Sequence, residues 1–229
     1  MTSLKNKDNH KIKKVKPIFN GVIFDRESFL LSKIDGLSVA NIGCVGTEGN
    51  VARFHKEIVS VSKDCIGIDI NESIDDIKLN HRSLILEKMD ISSCGVSELS
   101  KKYDVFLFGE VLEHIGSAKN ALDYSHYNLV DKGEIIITVP NAFSFKNMLN
   151  NIIFGSEYVR TDHVSWYSYS TIKRLLKMSL FDITEFYFYT NKTTSGIFSF
   201  PKNIIKRLLF LIRPNLCEGI IIVAKKSSA

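Results

Sequence analysis

The chain has 229 residues, 45% apolar and 24% charged, which suits one globular core and excludes a disordered polymer or a string of domains. Its net charge of +5 is carried by residues 1–16, with six lysines and one aspartate, so the rest is formally neutral and charge gives no case for a nucleic-acid groove. No apolar run approaches the roughly 18 residues of a membrane span, and the N-terminus lacks the apolar core of a secretion signal. The four cysteines, Cys44, Cys65, Cys94 and Cys217, are far apart and form no CxxC pair. Reduced thiols in a cytoplasmic protein are the expectation, rather than a disulfide framework or a zinc knuckle.

Residues 1–20 read as a solvated basic arm, and 21–229 as a single domain. In chain order, "RESFLLSKI" (26–34) has helical spacing, and "LSVANIG" (37–43) is a short buried strand ending in glycine. A helix over 51–62 follows, then a strand at 65–70, a short helix at 73–80 and a strand at 83–90. "YDVFLFG" (103–109) is the fourth strand, expected to run into a helix through "EVLEH". A helix over 117–130 and a fifth strand, "EIIITVP" (134–140), complete the alternation. Short apolar strands alternating with helices predict an α/β, Rossmann-like, mostly parallel sheet with helices on both faces. The last third adds a helix (170–180), a strand (182–190), an amphipathic helix opening on Pro201 and a strand (218–226), closing a seven-stranded sheet with an antiparallel edge strand.

The loop after the first strand, "NIGCVGTEGN" (41–50), carries Gly43, Gly46 and Gly49. Glycine there allows a sharp turn and close approach of a ligand, at the edge where open α/β sheets bind cofactors. The next strands end in Asp69–Ile70, Asp90–Ile91 and Glu110. A carboxylate at the first end can accept two ribose hydroxyls, and one at the second can meet an adenine amino group. The competing explanation is that each merely caps the helix that follows.

With these motifs in place, residues 36–190 resemble the class I S-adenosylmethionine-dependent methyltransferases. "SVANIGCVGTEGN", "CIGIDINES" and "KMDIS" are similar to the family's cofactor motifs. "YDVFLFGEVLEHIGSAKNAL" followed by "LVDKGEIIITVPN" is the most specific part. "DHVSWYSYSTIKRLLKMSLFDITEFYFY" resembles the subgroup found with ubiquinone-type and glycan-modifying enzymes. The resemblance implies S-adenosylmethionine as cofactor, held by Asn41, Gly43, Gly46, Gly49, Asp69, Ile70, Asp90, Ile91 and Glu110, and O-methylation of a small molecule or glycan. Two positions depart from the family. Asn41 stands where an acidic residue is usual, and Val45 where a second glycine is usual. Asn41 would meet the methionine part of the cofactor without a negative charge.

"GEVLEH" carries a second signal, since Glu110, Glu113 and His114 at i, i+3 and i+4 would share one face of a helix. With His163 from "TDHVSWYS" they resemble the Glu-x-x-Glu-His metal sets of certain methyltransferases, which implies a divalent ion, Mg²⁺ or Mn²⁺. Without a metal, His163 or His114 is the expected general base. His55, His81 and His126 read as surface residues. Asn141, Phe143, Phe145, Tyr158, His163, Trp166 and Tyr167 are the expected acceptor-pocket lining.

The helix "PKNIIKRLLFLI" (201–212) reads as a sheet cover. Its alternative is a peripheral membrane helix, with Phe198, Phe200 or Phe210 as anchors and the basic arm helping. Two other functions compete. A nicotinamide oxidoreductase would want a complete G-x-G-x-x-G, which this loop lacks. A non-catalytic module with a degenerate loop would be consistent with Asn41 and Val45.

Overall fold

The computed structural model describes residues 14–46, 48–93, 95, 99–190 and 200–227, with the side chains of 200–205 left aside. Eight strands form one sheet: β1 (Gly21–Ile23), β2 (Ser38–Ile42), β3 (Asp64–Asp69), β4 (Ile85–Lys88), β5 (Tyr103–Gly109), β6 (Leu129–Pro140), β7 (Phe181–Tyr189) and β8 (Gly219–Lys226). The helices are α1 (Arg26–Ile34), α2 (Arg53–Val61), α3 (Ile74–Asn80), α4 (Ala118–Asn128), α5 (Phe145–Phe154), α6 (Tyr169–Met178) and α7 (Phe200–Ile212).

The sheet order is β1-β7-β8-β6-β5-β2-β3-β4. The Rossmann-like, mostly parallel sheet is as expected, with one strand more than the seven read from sequence. The short β1 pairs parallel to β7, Gly21 opposite Tyr187, so the pair β7–β8 lies one strand inside that border. β8 runs antiparallel to both β6 and β7. The arm residues nearest β1 already dock. Asn20 N–H donates to the Phe186 carbonyl, its side-chain oxygen accepts from Phe186 N–H, and Phe19 packs on Phe188.

The alternating strand residues divide the core into two layers. Ile42, Ile68, Phe106, Phe108 and Ile137 face α4 and α6, whose Leu122, Ile172 and Leu176 are buried. Val39, Val105, Leu107, Ile136 and Val223 face α1 and α2, through Leu30, Ile34 and Ile58. Local signals set the helix starts. Asp25 accepts from Ser28 N–H before α1, and Ser168 with Thr171 forms a capping box before α6. Among the described residues no helix is long and apolar enough to cross a membrane.

The chain leaves β2 toward β3 and β4 on one side, and β5 toward β6 on the other. The carboxyl ends of the adjacent β2 and β5 are therefore the topological switch point, where α/β sheets open a crevice.

Candidate active site

A cleft of about 540 Å³ occupies that crevice. Of the nine expected cofactor residues, Gly43, Gly46, Asp69, Ile70, Asp90, Ile91 and Glu110 line it; Asn41 and Gly49 do not. Its other walls include Val111, His114, Arg160 and Asp162.

The glycine loop is a small hairpin rather than an open cradle. Val45 and Val51 form an antiparallel bridge, and Gly46 N–H donates to Asn50 O across 2.8 Å. Gly49 sits in the tip with φ +72°. This accounts for the extra length before α2. Gly43 is required twice over, by φ +80° and because a Cβ there would run into Val111 Cγ2. Val45, where the family's second glycine would stand, donates its N–H to Asp69 Oδ2 at 2.8 Å, tying the loop to the end of β3. The other Asp69 oxygen accepts from Asn71 N–H at 3.0 Å. Each oxygen retains a lone pair, so ribose hydroxyls can still be accepted. Asp90 accepts from Ser92 N–H, Ser92 Oγ and Ser93 Oγ, and these bonds hold its carboxyl below the usual range. Both carboxylates therefore cap the turns that follow their strands.

Asn41 is placed otherwise than expected. It is buried, and its Nδ2 is hydrogen-bonded to His55 Nδ1 at 2.9 Å. His55 is a correction as well. Far from being a surface residue, it is 1% exposed, and burial depresses its pKa to about 4. Its Nε2 has no partner among the described residues. His126 is half-buried against Phe181, and only His81 is exposed.

"EVLEH" does not form the expected helix. β5 ends at Gly109, Glu110 is left-handed with φ +59°, and Leu112–His114 make one 3-10 turn. The left-handed residue breaks the i, i+3, i+4 register, so Glu110 separates from the others. Its Oε1 accepts from the Tyr189 hydroxyl at 2.6 Å and lies 3.6 Å from an Arg26 nitrogen. Glu110 N–H is held by both the carbonyl and the hydroxyl of Thr138. Of the four residues expected as a metal set, three lie together. Glu113, His114 and His163 present ligand atoms within 4.8 Å of one another, and Glu110 is not among them.

Glu113 is 1% exposed, and its Oε2 is unpartnered among the described residues. Burial, then the charge of Glu110, pushes its pKa up to about 8. His114 Nδ1 donates to the Asp162 carbonyl at 3.2 Å, and its Nε2 lies 4.0 Å from Glu113 Oε1. The His163 ring stands edge-on to it, and burial together with His114 lowers the His163 pKa. His163 Nδ1 is buried without a partner among the described residues.

Two groups expected in the acceptor pocket are structural instead. Asn141 donates to the carbonyls of Asn215 and Cys217, and the Tyr167 hydroxyl donates to Leu112 O. Phe145 is exposed on α5. Phe143, Tyr158 and Trp166 do share a lining, that of a second groove of about 500 Å³ under α5. The membrane anchors proposed for α7 fare differently. Phe210 is buried, while Phe198 and the Phe200 side chain lie outside the described residues.

A family model described as "Methyltransferase domain" matches residues 26–185, most of the chain. The chain belongs to this methyltransferase family. No curated protein sequence matches it significantly. Solved structures similar to this methyltransferase include a SAM-dependent methyltransferase from Archaeoglobus fulgidus, 19% identical with TM-score 0.58, covering 87% of this chain and 94% of that one. Another, from Clostridium acetobutylicum, is 12% identical with TM-score 0.57, over 88% and 91%. The N-methyltransferase NodS from Bradyrhizobium japonicum, solved with S-adenosyl-L-homocysteine, is 14% identical with TM-score 0.53, over 89% and 86%. At these identities the likeness is one of fold. The family match removes the nicotinamide oxidoreductase alternative.

Proposed function

We propose that residues 21–229 form a single S-adenosylmethionine-dependent methyltransferase domain that O-methylates a small molecule or glycan in the cytoplasm. The observation that carries the reading is the conjunction of three carboxylate strand ends around one cleft with His114 in its wall and the His163 ring edge-on to His114. The donor set fits the cofactor. Asp69 would take the ribose hydroxyls, Asp90 would face the adenine amino group, and Ile70 and Ile91 would flank the base. The sulfonium of the bound cofactor supplies an activated methyl group, so the protein's tasks are alignment and proton removal.

His163 suits the second task, because its lowered pKa keeps it neutral and able to accept a hydroxyl proton near pH 7. Glu113 at a pKa of about 8 would hold a proton there and hydrogen-bond as a neutral acid. The arrangement of Glu113, His114 and His163, with two orphaned buried atoms, also fits a divalent ion. These three residues would hold it, and such an ion would lower the pKa of an acceptor hydroxyl. An oxygen acceptor is favoured by a neutral imidazole base, although the fold also serves N-methylation in NodS.

Calorimetric titration tests the cofactor reading. S-adenosylhomocysteine should bind and NAD should not. Failure of S-adenosylhomocysteine to bind would leave a non-catalytic module as the better description.

A further inference from the structure

A helix on a globular protein normally buries one stripe of its surface. α5 does not, since no residue of Phe145–Phe154 is buried. Its apolar residues nonetheless keep helical spacing. Phe145, Met148, Leu149, Ile152 and Ile153 fall on one stripe, with Lys146, Asn147, Asn150 and Asn151 on the other side. Ile152 is 75% exposed. The ends are defined by local chemistry, Ser144 capping Asn147 N–H and Gly155 closing the helix in a left-handed turn.

A second apolar face lies nearby. On α7, Phe210 is buried, but Leu208, Leu211 and Ile212 are exposed. The two helices are rooted at one point, where Pro140 pairs with Gly219 and the Asn141 amide bonds the carbonyls of Asn215 and Cys217 at 2.9 Å. Residues 141–157 and 206–218 contain Lys146, Lys206, Arg207 and Arg213 against Glu157 and Glu218, the latter paired with Lys206 at 2.6 Å, so cations outnumber carboxylates four to two. Exposed apolar faces rimmed by polar residues mark interaction surfaces. A two-fold dimer through it would set this cationic face against itself, whereas an anionic surface complements it.

We propose that α5 and the outer face of α7 dock on an anionic lipid bilayer, with the α5 stripe seated at the headgroup–acyl boundary. Met148 and Ile152 of this surface share a groove with Tyr158 and Trp166, and the Trp166 ring centroid is 6.3 Å from that of His163.

Co-sedimentation of the full chain tests this, using vesicles of phosphatidylcholine alone and of phosphatidylcholine with phosphatidylglycerol. Binding should require phosphatidylglycerol and weaken with salt. Ile152→Asp/Ile153→Asp should weaken it by about tenfold or more, given what burial of two isoleucines is worth. The melting temperature should hold, because both side chains are exposed. Lys146→Glu/Arg213→Glu, which leaves the apolar stripe intact, should also weaken binding by roughly tenfold or more. Absence of binding to the anionic vesicles, or equal binding by either variant, overturns the proposal. So does a dimer in light scattering that the two aspartates dissociate, which would make a second copy the occupant.

Discussion

The rings of His114 and His163 meet edge-on, with centroids 4.6 Å apart and planes at 87°. They come from a turn after β5 and from the segment between α5 and α6, and Glu113 O accepts from Val164 N–H at 2.9 Å to join the two. A basic pair is thus fixed by backbone bonds rather than by a shared helix face.

That pairing makes an activity prediction. With an acceptor in hand, His163→Ala should lower kcat by roughly 10²–10⁴-fold, the range for a positioned base, while S-adenosylhomocysteine affinity is kept. If turnover is lost to a chelator and restored by Mg²⁺ or Mn²⁺, Glu113→Gln should abolish the restoration and Glu110→Gln should not. The opposite ranking would return Glu110 to the ligand set.

Asp69→Ala should weaken S-adenosylhomocysteine by about 2–4 kcal/mol, from two charge-assisted bonds with partial replacement by water. It should also lower the melting temperature, because Val45 and Asn71 N–H lose their acceptor. Calorimetry and thermal denaturation on the same sample separate the two effects. Unchanged affinity would remove the ribose assignment.

Gly43→Ala should destabilise the fold by about 1–3 kcal/mol, through both the positive φ and the Val111 collision. Adding Val111→Ala should recover only part of this, since the backbone strain remains. Full recovery in urea denaturation would show that φ contributes nothing.

His55 gives a pH dependence whose sign follows from linkage. Its pKa falls from 6.5 in the unfolded chain to about 4 in the fold, so below about pH 6.5 the unfolded state binds a proton that the folded state refuses. Its contribution is complete above 6.5 and is lost as pH falls toward 4. Stability from this residue should drop by about 2 kcal/mol between about pH 7 and about pH 5. His55→Leu should flatten that slope in urea titrations, whatever it does to stability at neutral pH. An unaltered slope would mean that another group is responsible.

The alternation of short apolar strands with amphipathic helices made the sheet legible, because burial on both faces leaves a continuous apolar run. The cofactor edge was legible for the same reason, since strand ends fall where apolar runs stop. Three features were not read. His55 shares the buried face of α2 with Ile58, three residues on, but a single histidine reads as surface without its neighbours. "EVLEH" has helical spacing, and nothing in it announces the left-handed Glu110. α5 carries usable signals in Ser144 and Gly155, but its first residue, Phe145, reads as pocket lining rather than as the start of a helix. Tyr189, which holds the Glu110 carboxylate, is 79 residues away in sequence, beyond any local pattern.

The position of β8 has a consequence for how the chain assembles. It is the last strand of the sheet in chain order, yet it sits between β6 and β7. Until it arrives, β6 ends one half-sheet and β7 with β1 has no neighbour to join it. A nascent or truncated chain would therefore carry unpaired strand edges of Ile, Val and aromatic residues, which are templates for self-association. Completion of the sheet is a late, long-range step that joins two prebuilt parts, so premature termination before Gly219 should leave an aggregating product rather than a smaller enzyme.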